Sequence, residues 1–189
     1  MRPVRHLWLG AALALLLIPR PTPATDEVGI FFDEHGDENC VRAEPYSTMN
    51  AYLLLLDPSA SGGVSGWECG LDYENVMLTD VVYNGQALNM SSVPDFVVGL
   101  GSPLPWSSVI KLLQLSVLVM GSDPVGFYVY PANAPSLEGT PVYADGANPG
   151  NLLPMTPKTI GEEALVAGIN RPGCIPEGAT WGHVKSLYN

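Results

Sequence analysis

The chain has 189 residues, 47% hydrophobic and 14% charged, and its 19 acidic against 8 basic residues give a formal net charge of −11. That balance excludes nucleic acid and anionic lipid as partners, because phosphate binding depends on clustered Lys and Arg. With 20 glycines and 18 prolines, short strands joined by many turns are expected rather than long helices.

Residues 1–24 set the compartment. Arg2 and Arg5 precede the apolar run Leu7 to Ile18, and a short polar stretch ends in Thr22-Pro23-Ala24. This is the layout of a secretory signal peptide cut near Ala24. The run is too short to span a bilayer, which takes about 20 residues. No second run of that length and no lipid-anchor cysteine follows it, so a soluble protein beginning near Thr25 is expected, secreted or periplasmic/extracellular. The leader carries three basic and no acidic residues, so the mature chain holds five basic against nineteen acidic residues, a net charge of −14. The five, Arg42, Lys111, Lys158, Arg171 and Lys185, stand far apart.

Eight β-rich runs follow in chain order: Val28–Asp33, Tyr46–Leu56, Val64–Tyr73, Met77–Tyr83, Phe96–Leu100, Val109–Met120, Gly126–Tyr130 and Pro141–Ala144. Turn signals separate them, among them Asp57-Pro58, Ser61-Gly62-Gly63, Asn84-Gly85, Gly121-Ser122-Asp123-Pro124 and Asp145-Gly146. In Ser65 to Tyr73, Trp67, Cys69, Leu71 and Tyr73 share the inward face, with Gly66, Glu68, Gly70 and Asp72 outward. The nearly continuous apolar run Ile110–Met120 reads as a central strand covered on both faces or by the tail. Gly161–Ala167 is either a short helix or a strand. Thr180–Tyr188 reads as a capped short helix with Trp181, Val184 and Tyr188 on one face. The expectation is an all-β fold, an antiparallel jelly-roll or Ig-like β-sandwich with a short C-terminal helical tail. Its parts are a signal peptide (1–24), a β-sandwich domain (25–157) and a tail packed on or tied to it (158–189).

Cys40, Cys69 and Cys174 are the three cysteines. Export favours oxidation, and an odd count leaves one thiol over. Cys40 lies in a polar loop and Cys174 in the turn-rich stretch Arg171 to Pro176, whereas Cys69 lies inside an apolar strand. A Cys40–Cys174 disulfide with Cys69 as a buried thiol is therefore expected.

The stretch Val64 to Leu78, reading Gly66-Trp67-Glu68-Cys69-Gly70-Leu71-Asp72-Tyr73-Glu74, resembles the early strands of cohesin-like domains. Leu112 to Val119 and the Gly121–Pro124 turn after it are similar to the long apolar strand of the same family. The resemblance covers about half of the mature chain. It implies a jelly-roll sandwich of the class shared with cellulose-binding modules, non-catalytic and binding a protein or a polysaccharide. The acidic N-terminal loop and the C-terminal tail depart from the family pattern, and no partner-binding residue is carried over. The tail from Thr180 to Tyr188 looks like the ends of secreted proteins from Gram-negative bacteria.

Asp33, Glu34, Asp37 and Glu38 invite a structural calcium ion held by Asp33, Asp37 and Glu38, beside the plain reading of a solvated acidic loop. They do not make an EF-hand. Glu44 is twelfth from Asp33, but His35 holds the third position and Glu38 the sixth, where the turn requires Gly. No other cofactor is implied. For glycoside hydrolysis, Glu68 and Asp72 lie about 13 Å apart on one strand, so a second carboxylate would come from Asp95 or Asp80 on another strand. The competing reading is a solvated face. The mature chain has only His35 and His183, no Gly-x-Ser-x-Gly, no His-Glu-x-x-His and no Cys-x-x-Cys, so no catalytic motif is recognised. Trp106, Tyr128, Tyr130 and Tyr143 are the candidates for a sugar-stacking platform, against their use as core rings. Asn89-Met90-Ser91 matches a glycosylation acceptor. The sequence thus reads as an exported, non-catalytic binding or structural module for a protein or polysaccharide in the envelope or outside the cell. The alternatives are a secreted glycan hydrolase and a calcium-stabilised adhesion module.

Overall fold

Alternating side chains leave each strand one apolar face to bury, and the chain does so by stacking two sheets around a shared core. The structure, a computed structural model, describes residues 25–161 and 164–172. These form β1 (Glu27–Phe31), β2 (Cys40–Val41), β3 (Thr48–Leu56), β4 (Val64–Glu74), β5 (Val76–Tyr83), β6 (Ala87–Asn89) and β7 (Asp95–Leu104). The remaining strands are β8 (Val109–Val119), β9 (Val125–Tyr130), β10 (Val142–Asp145), β11 (Leu152–Pro154), β12 (Thr156–Pro157) and β13 (Leu165–Ile169). All eight expected runs are strands, and Leu165–Ile169 resolves the open choice in favour of a strand.

One sheet has the order β12-β1-β3-β8-β5. The other runs β11-β10-β4-β9-β13-β2, with β7 also paired to β4 and β6 to β7. The architecture is the expected jelly-roll sandwich, but its sheets are mixed rather than purely antiparallel. β1 pairs β12 and β13 pairs β2 in parallel, because segments from the two ends of the chain close the sheet edges. The fully buried β13 lies between β9 and β2, so the sandwich continues past residue 157. The expected helix at Thr180–Tyr188 lies outside the described residues.

Between the sheets, Leu53, Leu55, Leu112, Leu115 and Val117 face Trp67, Phe96, Phe127 and Val166. Cys69 is there too, a buried free thiol as its place in the alternation requires. Desolvation, followed by the negative charges of Asp95 and Glu68, raises its pKa far above the usual thiol value. β8 lies inside its sheet between β3 and β5, and among the described residues its outer face is only partly covered. Ile110, Leu112, Leu115 and Val117 are buried, whereas Lys111, Gln114 and Ser116 point to the outer side and are only half-buried.

A second apolar cluster sits on that outer side: Phe31, Leu54 and Leu56, flanked by Tyr52 and Val109. The loop 32–38 packs on it. Gly36 is at φ +81°, and a Cβ there would stand 3.0 Å from Leu56 Cδ2 and 3.6 Å from Leu54 Cδ1, so only glycine fits both the turn and the approach.

Candidate functional site

The acidic loop is organised by its own backbone. The Asp33 carboxylate accepts N–H groups from His35, Asp37 and Glu38. Burial raises the Asp33 pKa, but backbone N–H groups of Glu38, His35, Asp37 and Gly36 together prevail and hold it below the usual carboxylate value. Glu34 pairs with Lys111 at 2.6 Å, and Lys111 lies 5.5 Å over the Tyr52 ring, tying the loop to the sheet beneath. Asp33, Asp37 and Glu38 are thus brought onto one turn. Among the described residues, no group of three His, Cys, Asp or Glu is placed to hold a metal ion.

Glu68, expected on a solvated face, is 5% exposed. It does point to the outer side of its sheet, but the β9–β10 connection crosses over it, and Ser136 donates both its N–H and its hydroxyl to the two carboxylate oxygens. Asp95, on the neighbouring strand, accepts the Asn133 N–H of the same connection. Both carboxylates therefore serve as ties for a loop. Asp80 lies on β5, in the opposite sheet from Glu68, so those two do not face one another. Glu68 is in register with Val97 and Gly70 with Asp95, so the two carboxylates lie diagonally on one face, each taken up by a hydrogen bond from the connection above it.

The four aromatic candidates fall in three places. Tyr143 is fully buried, so it belongs to no surface platform. Its hydroxyl donates to Asp26 Oδ1 at 2.6 Å and accepts the Ala60 N–H at 3.2 Å. Trp106 is 55% exposed in the β7–β8 connection, its Nε1–H donating to the Pro58 carbonyl at 3.1 Å. It follows Leu104, which pairs Val64 at the start of β4, whereas Tyr130 pairs Gly70, six residues and about 20 Å further along that strand. Tyr128 and Tyr130 do form a pair on the outer side of β9, with ring centroids 6.4 Å apart and planes within 14°. A Cβ on Gly126 would come within 2.9 Å of Tyr128 Cε2 and its hydroxyl oxygen, and 2.8 Å of Arg171 Nη1. The missing side chain lets the Tyr128 ring lie along the strand, with Arg171 beside it.

The β6–β7 hairpin was not singled out by sequence reasoning. On it, Leu88 (69%), Met90 (70%) and Val93 (44%) are exposed, and Leu88 and Met90 border a depression of about 520 Å³ lined also by Ser65, Gln86, Ala87, Gly99, Leu100 and Gly101. The available signal was the period-2 pattern Ala87-Leu88-Asn89-Met90. Asn89 Oδ1 turns in to accept N–H groups from Ser91 and Val97, which sends Leu88 and Met90 out. The Asn89 amide nitrogen, the acceptor atom of the glycosylation motif, donates to the Asp95 carbonyl at 3.4 Å.

Cys40 opens β2, in register with Gly168 of β13, and carries no free thiol. Asn170, at φ +56°, exchanges two side-chain hydrogen bonds with the Ala43 backbone, at 2.8 and 3.1 Å, and so extends this parallel contact. The expected partner of Cys40, Cys174, lies outside the described residues. No helix among the described residues is long and apolar enough to cross a membrane.

No protein-family model and no curated protein matches the chain. Several solved structures do. A type II cohesin domain from the cellulosome of Acetivibrio cellulolyticus is 11% identical, with TM-score 0.50 over 77% of this chain and 95% of that one. The seventh ScaB type I cohesin from Pseudobacteroides cellulosolvens is 12% identical, with TM-score 0.49 over 82% and 96%. A type I cohesin–dockerin complex from Clostridium thermocellum contributes a chain 10% identical, with TM-score 0.49 over 76% and 94%. At these identities the likeness is one of fold: the chain is a cohesin-like β-sandwich.

Proposed function

We propose that the chain is an exported, non-catalytic module that binds a protein partner through the β6–β7 hairpin. The observation that carries this reading is the exposed pair Leu88 and Met90 bordering a depression at the edge of a sheet. Large apolar side chains clustered on a surface are the usual mark of an interaction site. Burying Leu88 and Met90 would contribute about 1–2 kcal/mol each. The acidic surface calls for a partner that surrounds its apolar contact with basic residues. The fold shared with a cohesin domain of a cellulosome supports a binding role, as does the use of Glu68 and Asp95 as loop ties. The basic and apolar leader supports export, with cleavage near Ala24.

The test is capture of partners from the producing organism's culture supernatant and envelope fraction. The wild-type chain is compared with a Leu88→Asp, Met90→Asp chain of equal melting temperature. A protein retained by the first and lost by the second supports the hairpin as interface. Equal retention by both, or none by either, refutes it.

A further inference from the structure

The geometry points to a second binding surface, a subsite for an uncharged polysaccharide on the outer side of β9, built from Tyr128, Tyr130, Asp72, Glu74 and Arg171. It lies apart from the hairpin and goes beyond the protein-binding reading. Tyr128 and Tyr130 are stacked along one strand, ring centroids 6.4 Å apart and planes within 14°, and Tyr130, 42% exposed, offers its ring to solvent. The Pro131 carbonyl lies over Gly70 of the neighbouring strand, 3.1 Å from where a Cβ would stand, and the flank beyond it is polar. Gly70 is in register with Tyr130, Asp72 with Tyr128 and Glu74 with Gly126. Glu74 reaches the Tyr128 hydroxyl at 3.4 Å and the Arg171 guanidinium at 4.0 Å. Next to Tyr130 a groove of about 430 Å³ continues the surface, lined by Pro131, Thr140, Pro141, Pro157 and Thr159.

The chemistry selects the occupant. Aromatic faces take the C–H side of a sugar ring, and the exposed carboxylates of Asp72 and Glu74 are acceptors for hydroxyl donors, which sugars carry in number. A proline-rich peptide would also suit tyrosines and prolines, but prolines offer only carbonyl acceptors, which carboxylates cannot bind. Uronic or sulfated glycans are repelled by the two carboxylates and by the net charge of the whole chain.

Affinity electrophoresis of the purified chain tests this, in gels containing hydroxyethylcellulose, linear mannan or polygalacturonate, with decaproline as a competitor. Retardation is expected in at least one neutral gel and not in polygalacturonate, with no effect of decaproline. Tyr130→Ala should weaken retardation about tenfold, while Tyr130→Phe, which keeps the ring, should not. Asp72→Ala, on an exposed side chain, gives an independent loss should Tyr130→Ala not fold. The Leu88→Asp, Met90→Asp chain should be retarded as strongly as wild type, which separates this surface from the hairpin. Absence of retardation in every neutral gel would overturn the assignment. So would retardation unchanged by Tyr130→Ala and Asp72→Ala, preference for polygalacturonate, or displacement by decaproline.

Discussion

Replacing Tyr143 with Phe removes one oxygen from the join between the two sheets. The hydroxyl belongs to β10 of one sheet. It donates to Asp26, the residue preceding β1 of the other, at 2.6 Å, and accepts the Ala60 N–H from the β3–β4 connection at 3.2 Å. The Ser59 hydroxyl is 3.3 Å away. A hydrogen bond to a charged group contributes about 1.5–3 kcal/mol, and an orphaned buried N–H adds its own desolvation cost. Asp26 Oδ1 keeps the Ser59 N–H at 2.7 Å, so the charge is not left bare and the lower part of the range applies. The expected loss is about 2 kcal/mol, read as a lower urea midpoint at unchanged m-value and a melting temperature down by about 4–8 °C. The pH dependence adds a second readout. Burial, then the hydrogen bond to Asp26, raises the Tyr143 pKa. A raised folded-state pKa contributes stability that is fully present below the unfolded value of about 10 and lost as pH rises through the folded value. The gap between wild type and Tyr143→Phe should therefore be constant near neutrality and close at strongly alkaline pH. A loss under about 0.5 kcal/mol, or a gap that widens with alkali, would refute this account of the join.

Three further expectations concern the first loop and the cysteines. Gly36→Ala should cost about 1–2 kcal/mol in urea unfolding, because the positive φ and the 3.0 Å approach to Leu56 both resist a methyl group; an unchanged midpoint would contradict the packing of this loop. The lowered pKa of Asp33 contributes stability present above the unfolded carboxylate value and lost as pH falls through the folded one. Asp33→Asn should therefore flatten the acid limb of the stability profile, and a parallel acid limb would count against it. A peptide map should join Cys40 to Cys174 and leave Cys69 as a thiol that reacts only after unfolding; Cys69 in a disulfide would overturn this pairing.

Strand positions and the buried thiol were legible because period-2 alternation and Gly/Pro punctuation are local signals. Trp67 to Tyr73 showed its inward face in the sequence itself. What escaped depends on contacts between distant segments. β2, β11 and β12 are two or three residues long and become strands only through edges supplied by β13, β10 and β1. Glu68 has the outward register read for it, yet is buried by Ser136, 68 residues away. Tyr143 carries the same aromatic signal as Tyr130. The pairing of β10 with β4 turns it inward beside Trp67, and no single segment encodes that. Leu88 and Met90 are exposed because Asn89 spends its amide inside the hairpin, a choice set by Val97 and Asp95 on the next strand.

The most direct test of the central claim is quantitative binding of the captured partner to the wild-type and Leu88→Asp, Met90→Asp chains by titration calorimetry. Loss of about 1–2 kcal/mol per position, with melting temperatures unchanged, is the expected result, a combined weakening of about thirtyfold to a thousandfold. Equal affinity for both chains would show that the hairpin is not the interface and that its exposed apolar side chains have another cause.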